Sequence, residues 1–200
     1  MKKPILIVIA GPNGSGKTSI TSKILQHEWI ENCLYINPDN IAKDTFGDWN
    51  SNEAVIKAAK LSAQMREDCL IESKSLIFET VLSAYDKIDF IQRAKHQGYF
   101  VRLFFVGTES PAISASRIAQ RVMEGGHDVP ISKIISRYSK SIANCCVVAK
   151  MVDRAYLYDN STDFAEPKIL FRVIDGKITK EYAQINNWSL PILNFIKSNE

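Results

Sequence analysis

The sequence predicts an α/β protein in which a mainly parallel sheet is flanked by helices. Two observations lead to this expectation. Short apolar runs alternate with segments of helical periodicity along the chain, and the first apolar run passes directly into a glycine-rich loop and a helical pattern. The 200 residues are enough for one domain with its own core, so we expect a single domain over residues 1–200.

The first half of the chain is expected to supply three strands and three helices. In chain order these are a strand at 5–10, a helix from the glycine-rich loop to about 28, a short strand at 34–36, a helix at about 52–73, a strand at 75–80 and a helix at 85–97. Gly98 is the expected stop of that last helix, because glycine adopts the left-handed conformation that ends helices.

The second half opens on the most strand-like run of the chain, "YFVRLFFVG" at 99–107, whose continuous hydrophobicity suits a strand buried on both faces. Ser110 and Pro111 predict a helix start, with the helix running to about 124, where "GGHDVP" ends it. A second helix is expected at about 131–151. "RAYLYDNS" predicts a fifth strand, and "KILFRVIDGKITKEY" predicts an antiparallel hairpin turning at Asp175 and Gly176, followed by a short amphipathic helix.

Charge and composition exclude few functions, but they bear on the partners and the cellular compartment of the protein. The net charge of +3 permits a positive cleft for phosphates without favouring nucleic acid as a partner. The four cysteines show neither zinc nor disulfide spacing, which favours reduced thiols. The start "MKKPILIVIA" is too short an apolar run for a secretory signal and lacks a cleavage pattern, so we expect a buried strand, no membrane segment and a cytoplasmic protein.

The loop after the first strand, "GPNGSGKTS", carries the most specific signal in the chain. Gly11, Gly16, Lys17 and Thr18 complete the pattern G-x-x-x-x-G-K-[ST] of a phosphate-binding P-loop. Backbone N–H groups of such a loop curl around phosphates, the lysine reaches the β- and γ-phosphates, and the threonine hydroxyl binds Mg²⁺. We therefore predict that ATP is bound by the following residues: Gly11, Pro12, Asn13, Gly14, Ser15, Gly16, Lys17, Thr18 and Ser19.

Several classes of P-loop protein are disfavoured by what the sequence lacks. The chain has no Asn-Lys-x-Asp motif of GTPases and no LSGGQ-type signature of ABC subunits. It also has no apolar run leading into Asp-Glu, which marks many ATPases that hydrolyse ATP with water. These absences shift the expectation from a motor or hydrolase towards a kinase.

Polar residues follow the second strand in "NPDN", at the edge where parallel strands gather ligands. Asp39 would face the P-loop across the crevice and accept the proton of an attacking hydroxyl, or orient that hydroxyl. The alternative is that Asp39 only caps the helix beginning "IAKD". After the third strand, Glu79 and Thr80 are candidates for holding a substrate hydroxyl or, for Glu79, a magnesium water; the alternative is a helix-start turn.

Arginines are predicted to neutralise the charge that builds on the γ-phosphate during transfer. Arg117 and Arg121 are four residues apart and so share one helix face, and Arg137 lies on the next helix. The two helices and the glycine-containing break between them suggest a lid over ATP at about 110–150; the alternative is a solvated helix face. His127 in the break could contact substrate or only cap the next turn. After the fifth strand, Asn160 or Ser161 could contact adenine, or the segment could form a plain turn.

Seven segments together resemble the zeta-toxin-like P-loop kinases, and in particular a small, single-domain bacterial branch. They occur in order over about residues 5–161: "IAGPNGSGKTS", "INPDNIA", "FETVLS", "GYFVRLFFVGTES", "RIAQRVMEGGHDVP", "IISRYSKSIAN" and "YDNS". The resemblance implies a nucleotide-kinase-like fold that binds Mg²⁺ and ATP. In true zeta toxins it also implies phosphorylation of the 3′-hydroxyl of a UDP-N-acetylamino sugar, together with a small antitoxin protein as partner.

Residue by residue, the family's P-loop lysine corresponds to Lys17 and its catalytic aspartate to Asp39. Its γ-phosphate arginines correspond to two among Arg117, Arg121 and Arg137, and the lid region departs too far from the toxins to select the pair. The toxins also carry a Glu-Gly-Thr type sequence where this chain has "ETVLS". That difference bears on the identity of the acceptor more than on the reaction.

Three hypotheses follow from the sequence. The leading one is a small-molecule kinase using Mg-ATP, with the alternatives of a polynucleotide 5′-kinase or an ATP-binding regulatory module that transfers nothing. The chain shows no Lys/Arg cluster away from its ends to guide a strand, which ranks the polynucleotide kinase lower. Asp39 opposite the loop counts against the regulatory module.

Overall fold

A computed structural model describes residues 3–30, 32–47, 51–126 and 128–198 of the chain. Within these ranges, seven strands form one sheet in the order β2-β3-β1-β4-β5-β6-β7. The strands are β1 (Ile5–Ala10), β2 (Leu34–Ile36), β3 (Leu76–Thr80), β4 (Phe100–Gly107), β5 (Arg154–Asp159), β6 (Lys168–Ile174) and β7 (Lys177–Glu181). The first five run parallel, and β6 and β7 pair antiparallel as a hairpin on one edge.

Seven α-helices are described around this sheet. They are α1 (Lys17–Ile24), α2 (Pro38–Phe46), α3 (Asn52–Ile71), α4 (Tyr85–His96), α5 (Pro111–Met123), α6 (Ile131–Met151) and α7 (Leu190–Lys197). The predicted α/β class, the mostly parallel sheet and the C-terminal hairpin are thus confirmed. Asp175 and Gly176 form the predicted turn, and both have positive φ angles, as a tight two-residue hairpin loop requires.

The end of the first helix differs from the prediction. α1 ends at Ile24 rather than near residue 28, and a separate 3₁₀ turn covers Glu28–Ile30. The reason is local: beyond the helix, backbone bonds from Gln26 and His27 reach back three residues instead of four. That tighter turn redirects the chain towards β2.

The sheet separates two apolar layers. Alternate residues of β1 point to opposite faces, so Leu6 and Val8 join the larger core with α3, α4, α6 and α7, whereas Ile7 and Ile9 pack with α1. Every one of these four residues is fully buried. The continuous apolar run of β1 is explained by this burial on both faces.

Helix α6 belongs mainly to the core. Its second half contributes Cys145, Cys146, Val148 and Ala149 to the larger apolar layer. Its first half packs instead with α5, in a small cluster of Ile118, Val129 and Ile134. We therefore predict a closing movement of the lid only for α5 and the start of α6. Among the described helices, none is long and apolar enough to cross a membrane.

The C-terminal segment packs against the end of β4. A side chain at Gly107 would place its Cβ 2.4 Å from the ring of Trp188, which is buried. The indole Nε1 of Trp188 donates to Asp159 Oδ1 at 2.8 Å, and Asp159 ends β5. This contact joins α7 and the segment before it to the edge where the strands of the parallel sheet end.

We expect Gly107→Ala to lower the free energy of unfolding by about 1–3 kcal/mol, because the rigid indole ring must move to admit a methyl group. Chemical denaturation measures the change. In a Trp188→Leu background the same substitution should cost clearly less, since the conflicting ring atoms are gone. An equal cost in both backgrounds would contradict this packing.

Candidate active site

The glycine-rich loop between β1 and α1 is pressed against two neighbouring elements. A Cβ on Gly14, whose φ is +73°, would lie 2.6 Å from the carbonyl oxygen of Ser114 in α5. A Cβ on Gly16, whose φ is +86°, would lie 2.1 Å from the side-chain amide of Asn160. Both positions require glycine, because they combine a left-handed backbone with no room for a side chain. The loop is thus closely packed between α5 and the exit of β5.

Two side chains within this loop bear on whether it fits a phosphate. Ser15 Oγ and Asn13 Oδ1 are buried and have no hydrogen-bond partner among the described residues. A buried hydroxyl without a partner is costly, and the Ser15 hydroxyl is a donor within a loop whose sequence is that of a phosphate site. Thr18 and Ser19, by contrast, are exposed in the first turn of α1. The loop therefore fits a phosphate group.

Lys17 is the first residue of α1, and its side chain folds back over the loop. Its Nζ donates to the carbonyl oxygens of Gly11 at 3.0 Å and Pro12 at 3.1 Å. Desolvation of the buried ammonium lowers the pKa of Lys17 below its ordinary value, while the charges of Glu79 and Asp39 oppose that shift and the charge of Arg121 adds to it. The structure therefore brings the charges of three predicted site residues to bear on one ammonium group.

Glu79 lies at the centre of a hydrogen-bond network at the ends of β2 and β3. Its Oε1 accepts from Thr21 Oγ1 at 2.9 Å and from Tyr35 Oη at 2.5 Å. Asn37 Nδ2 donates to the same Tyr35 oxygen at 3.0 Å. Burial raises the pKa of Tyr35, and donation to Glu79 raises it further. The network fixes the Glu79 carboxylate next to α1.

The sequence did not point to Thr21 and Tyr35 as parts of this network. Tyr35 is one of many aromatic residues in apolar runs, and Thr21 is one of several hydroxyl residues in α1. Only the hydrogen bonds from Thr21 and Tyr35 reveal that α1 and β2 both reach the Glu79 carboxylate. No local pattern carries that information.

Asp39 lies in the first turn of α2 and is exposed. The N-cap of this helix is Asn37, whose Oδ1 accepts from the backbone N–H groups of Asp39 at 2.9 Å and Asn40 at 3.4 Å. The alternative in which Asp39 caps the helix is therefore wrong. Its carboxylate remains available, and its charge acts on both Lys17 and Tyr35.

Thr80 ends β3 and shapes the loop that follows. Glu79 and Thr80 pair with Ile9 and Ala10 of β1, so the alternative of a helix-start turn at these residues is wrong. Thr80 Oγ1 accepts from the backbone N–H of Leu82 at 3.0 Å. Leu82 is buried with a φ of +57°, and its carbonyl oxygen accepts from Asn144 of α6 at 2.9 Å. The loop after β3 is thus fixed from both sides.

The three predicted arginines have different surroundings. Arg117 is half-buried and pairs with Asp163 at 2.7 Å, while its Nη1 donates to the carbonyl oxygen of Asn160 at 2.8 Å. Arg121 is exposed, one turn further along α5, and its charge acts on Lys17. Arg137 is half-buried in the second turn of α6.

Asn160 contacts the phosphate loop itself. Its Nδ2 donates to the carbonyl oxygen of Ser15 at 2.9 Å, and its backbone N–H donates to the carbonyl oxygen of Gly107 at 2.9 Å. The predicted contact with adenine stays a prediction. His127, the remaining predicted substrate residue, lies outside the described residues. Within the described ranges no group of three or more His, Cys, Asp and Glu residues could hold a metal ion.

The strand order, the phosphate loop after β1 and the carboxylate at the end of β3 define a P-loop kinase fold. A family model described as "Zeta toxin" matches residues 1–163. The chain belongs to the zeta toxin family. The resemblance inferred from the sequence is thereby confirmed.

Three similar proteins illustrate this relationship. An uncharacterized protein of Haemophilus influenzae is 27% identical over 132 residues, which are 66% of this chain and 91% of that protein. A structure of the PezAT chromosomal toxin–antitoxin system of Streptococcus pneumoniae has a TM-score of 0.62 and 16% identity, covering 99% of this chain and 86% of its own. A structure of AvrRxo1-ORF1:-ORF2 with ATP has a TM-score of 0.65 and 22% identity, covering 88% of this chain and 60% of its own.

The charges around Lys17 lead to a pH prediction. Only the protonated amine attracts phosphate, so ATP affinity should fall as pH rises through the lowered pKa of Lys17. Arg121→Gln removes a repulsive charge and should move this fall to higher pH. Glu79→Gln removes an attractive charge and should move it to lower pH. Binding of a fluorescent ATP analogue from about pH 7 to about pH 10 measures the midpoints.

Lys23→Gln is the matched control, since Lys23 lies on α1 and its charge pairs with Glu166 at the surface. Its midpoint should equal that of the unchanged protein. Identical midpoints in all four proteins would show that these charges do not act on Lys17.

Proposed function

We propose that this protein is a phosphotransferase that moves the γ-phosphate of Mg-ATP to a hydroxyl group of a small molecule. The observation that carries the proposal is the set of charges around Lys17. The charges of Glu79, Asp39 and Arg121 all act on the ammonium group of this one phosphate-loop lysine. Phosphoryl transfer needs a cation at the phosphates, a carboxylate for the acceptor and a further cation for the developing charge. Lys17, Asp39 and Arg121 would supply one group of each kind, with Glu79 as a second carboxylate.

ATP would be held by the phosphate loop. The backbone N–H groups from Asn13 to Thr18 and the positive N-terminal end of α1 suit the β-phosphate. Lys17 would leave the carbonyl oxygens of Gly11 and Pro12 and reach the β- and γ-phosphates, which are stronger acceptors for a charged donor.

Mg²⁺ is expected at Thr18 and near Glu79. Mg²⁺ usually keeps several waters and takes only one or two protein ligands beside the phosphates, so a cluster of carboxylates is not required. When bound, the ion would neutralise charge on the transferred phosphate. The Thr18 hydroxyl would be its direct protein ligand. Glu79 would orient a bound water, because its Oε1 already accepts from Thr21 and Tyr35.

Asp39 would act on the acceptor. Its carboxylate would accept the proton of the acceptor hydroxyl as the hydroxyl oxygen forms a bond to the γ-phosphorus. The bond between that phosphorus and the β–γ bridging oxygen breaks, and ADP leaves with the bonding electrons. Exposure of Asp39 favours this role, because the residue must meet a substrate that arrives from solvent.

Arg121 is our first candidate for the arginine at the γ-phosphate, since its charge already acts on Lys17. Arg137 is the second candidate, brought in if the start of α6 closes over ATP. Arg117 is better placed to hold the loop after β5, because it pairs with Asp163 and Asn160. Family membership supports a UDP-N-acetylamino sugar as acceptor and a small antitoxin protein as partner. The two alternative functions are a polynucleotide 5′-kinase, which would phosphorylate a 5′-hydroxyl oligonucleotide, and an ATP-binding regulatory module, which would transfer no phosphate.

The central prediction concerns Asp39. At a pH below the titration of Lys17, Asp39→Asn should lower the rate of phosphate transfer by roughly 10²–10⁴-fold while ATP affinity changes little. The residue acts on the acceptor, and its charge on Lys17 affects ATP binding only where Lys17 titrates. Labelled Mg-ATP is incubated with UDP-N-acetylglucosamine, related sugar nucleotides and a 5′-hydroxyl oligonucleotide. Label on a sugar nucleotide supports the proposal, and label on the oligonucleotide supports the polynucleotide kinase.

Asp44→Asn is the matched control, because Asp44 is an exposed carboxylate on the same helix. It should transfer phosphate like the unchanged protein. Transfer by Asp39→Asn at the full rate would remove Asp39 from the mechanism. ATP binding with no labelled acceptor would favour the regulatory module.

Substitutions of the two arginines of α5 should change different kinetic constants. Arg121→Ala is expected to lower kcat by roughly 10²-fold or more, because it removes charge that acts in the transition state. Arg117→Ala should mainly raise the KM for ATP, because it releases the Asp163 and Asn160 contacts that support the phosphate loop. Steady-state kinetics with any accepted substrate distinguishes them. The reverse pattern would exchange the two roles.

A further inference from the structure

One face of the sheet carries a row of cations that the catalytic site does not use. Arg102 in β4 pairs in register with Arg154 in β5, and Arg172 in β6 pairs in register with Lys180 in β7. Tyr156, two residues after Arg154, pairs with Arg172, so all four cations lie on the same face. Neighbouring strands are about 4.8 Å apart, so the row extends about 14 Å across four strands. We call these four residues the basic sheet face.

The two register pairs place like charges directly opposite each other on neighbouring strands. Such pairs destabilise a sheet, whereas opposite charges in the same positions stabilise it. The repulsion is visible at Arg102: burial lowers the pKa of its guanidinium, Tyr156 opposes that shift, and the like charge of Arg154 adds to it. An anion bound between the cations would relieve this repulsion.

The acidic residues of the same strands belong to the opposite side of the sheet. As the structure describes them, β4 to β7 contain two such residues, Asp159 and Glu181. Asp159 accepts from Trp188, and Glu181 pairs with Lys197 of α7 at 3.3 Å. Trp188 and α7 both pack in the larger apolar layer, and Asp153, just before β5, pairs with α4 in that layer. The acids of these strands are therefore directed away from the basic sheet face.

Aromatic rings lie among the cations of this face. The guanidinium carbons of Arg102 and Arg154 are 4.9 Å and 5.6 Å from the centre of the Phe100 ring. At the other end of the row, Lys180 Nζ is 4.6 Å from the centre of the Tyr182 ring, and Tyr182 is 41% exposed. The face thus combines positive charge with aromatic surface.

The same face is open to solvent from β5 to β7. Among the described residues, the buried helix members of the apolar layer on this side are Ile20 and Ile24, and both belong to α1. α1 packs against β1 and β4, and the helices α6 and α7 contribute to the opposite layer. Arg154 and Arg172 are half-buried and Lys180 is exposed. A partner can therefore reach the basic sheet face directly.

We propose that the basic sheet face binds single-stranded nucleic acid, with its cations on the phosphates and the Tyr182 ring against a base. Cations alone would suit any polyanion, including an acidic protein segment. The aromatic surface favours nucleic acid, because every base can stack on a ring and the side chains of an acidic peptide cannot. Three of the four cations are arginines, whose planar guanidinium binds phosphate with two nitrogens and also stacks on aromatic rings. An open sheet face suits an extended strand, whereas a duplex is read by a helix or ribbon that enters its groove.

This binding is separate from phosphate transfer and goes beyond the proposed function. Arg102 lies five residues before Gly107, where β4 ends beside the phosphate loop, and five residues of a strand span about 16 Å. A strand bound across the four cations therefore lies away from the phosphate loop. The sequence shows no cluster of Lys and Arg for such a partner, because the four cations belong to four strands and come together only in the sheet.

Fluorescence anisotropy of a short labelled RNA single strand measures the binding. A DNA single strand, a duplex of the same length and a glutamate-rich peptide of equal charge form the other arms. We expect at least one single strand to bind more tightly than both the duplex and the peptide, with an affinity that falls as salt concentration rises. A saturating non-hydrolysable ATP analogue should leave this affinity unchanged, because the nucleotide occupies a different site.

Arg154→Gln combined with Arg172→Gln should weaken binding of the single strand by about tenfold or more, because two charged contacts are lost. The slope of log affinity against log salt should become shallower by about 1.4, since each phosphate contact of a single strand contributes about 0.7. Lys60→Gln combined with Lys140→Gln is the matched control. It removes the same charge from exposed positions on α3 and α6 and should change neither affinity nor slope.

Tyr182→Leu tests the aromatic contribution. It should weaken binding of the single strand by about fivefold or more, because a base loses the ring on which it stacks. The salt slope should stay the same, since no cation is removed. An unchanged affinity in Tyr182→Leu would contradict recognition of bases at this ring.

Absence of single-strand binding, or equal affinity in the double arginine variant and its lysine control, would overturn the inference. Peptide binding as tight as single-strand binding would assign the face to an acidic protein, and equally tight duplex binding would contradict single-strand recognition. Competition by the ATP analogue would move the contact to the phosphate loop and would also overturn it. If the double arginine variant does not fold, Lys180→Gln at its exposed position gives the comparison. Its salt slope should become shallower by about 0.7, and an unchanged slope would count against the inference.

Discussion

The close packing of the phosphate loop is the constraint on which the rest of the structure depends. Gly14 lies against α5, and Gly16 lies against Asn160 in the loop after β5. The phosphate loop is therefore in close contact with both of these elements. Asn160 in turn binds Gly107, and the adjacent Asp159 binds Trp188. The conformation of the phosphate loop is therefore supported by contacts that extend to the C-terminal segment.

The charges around Lys17 are the second feature of the site. Burial lowers the pKa of Lys17, and the charges of two carboxylates, Glu79 and Asp39, oppose that shift. The carboxylates differ in kind: Glu79 is fixed by Thr21 and Tyr35, whereas Asp39 is exposed. A fixed carboxylate suits the ordering of a metal-bound water, and an exposed one suits an incoming substrate. The division of roles that we propose therefore rests on the surroundings of the two carboxylates and not on their residue types.

The sequence was sufficient for features that have a fixed local pattern, and insufficient for features that depend on particular hydrogen bonds or on contacts between distant elements. The strands at 5–10 and 100–107 are continuous apolar runs, and the loop motif has fixed spacing, so both could be predicted. The end of α1 at Ile24 and the capping role of Asn37 depend on local hydrogen bonds that several residues could supply. The Glu79 network joins residues from separate elements, and no spacing rule reveals such contacts.

The most direct test of the account is an unbiased search for the acceptor. The protein and its Asp39→Asn variant are incubated with a bacterial small-molecule extract and Mg-ATP carrying heavy oxygen in its γ-phosphate, and the products are compared by mass spectrometry. The account predicts a heavy phosphate ester of an organic alcohol, formed together with ADP and absent with the variant. Heavy label found only in unreacted ATP or in inorganic phosphate would contradict the claim that this fold transfers phosphate to a hydroxyl group.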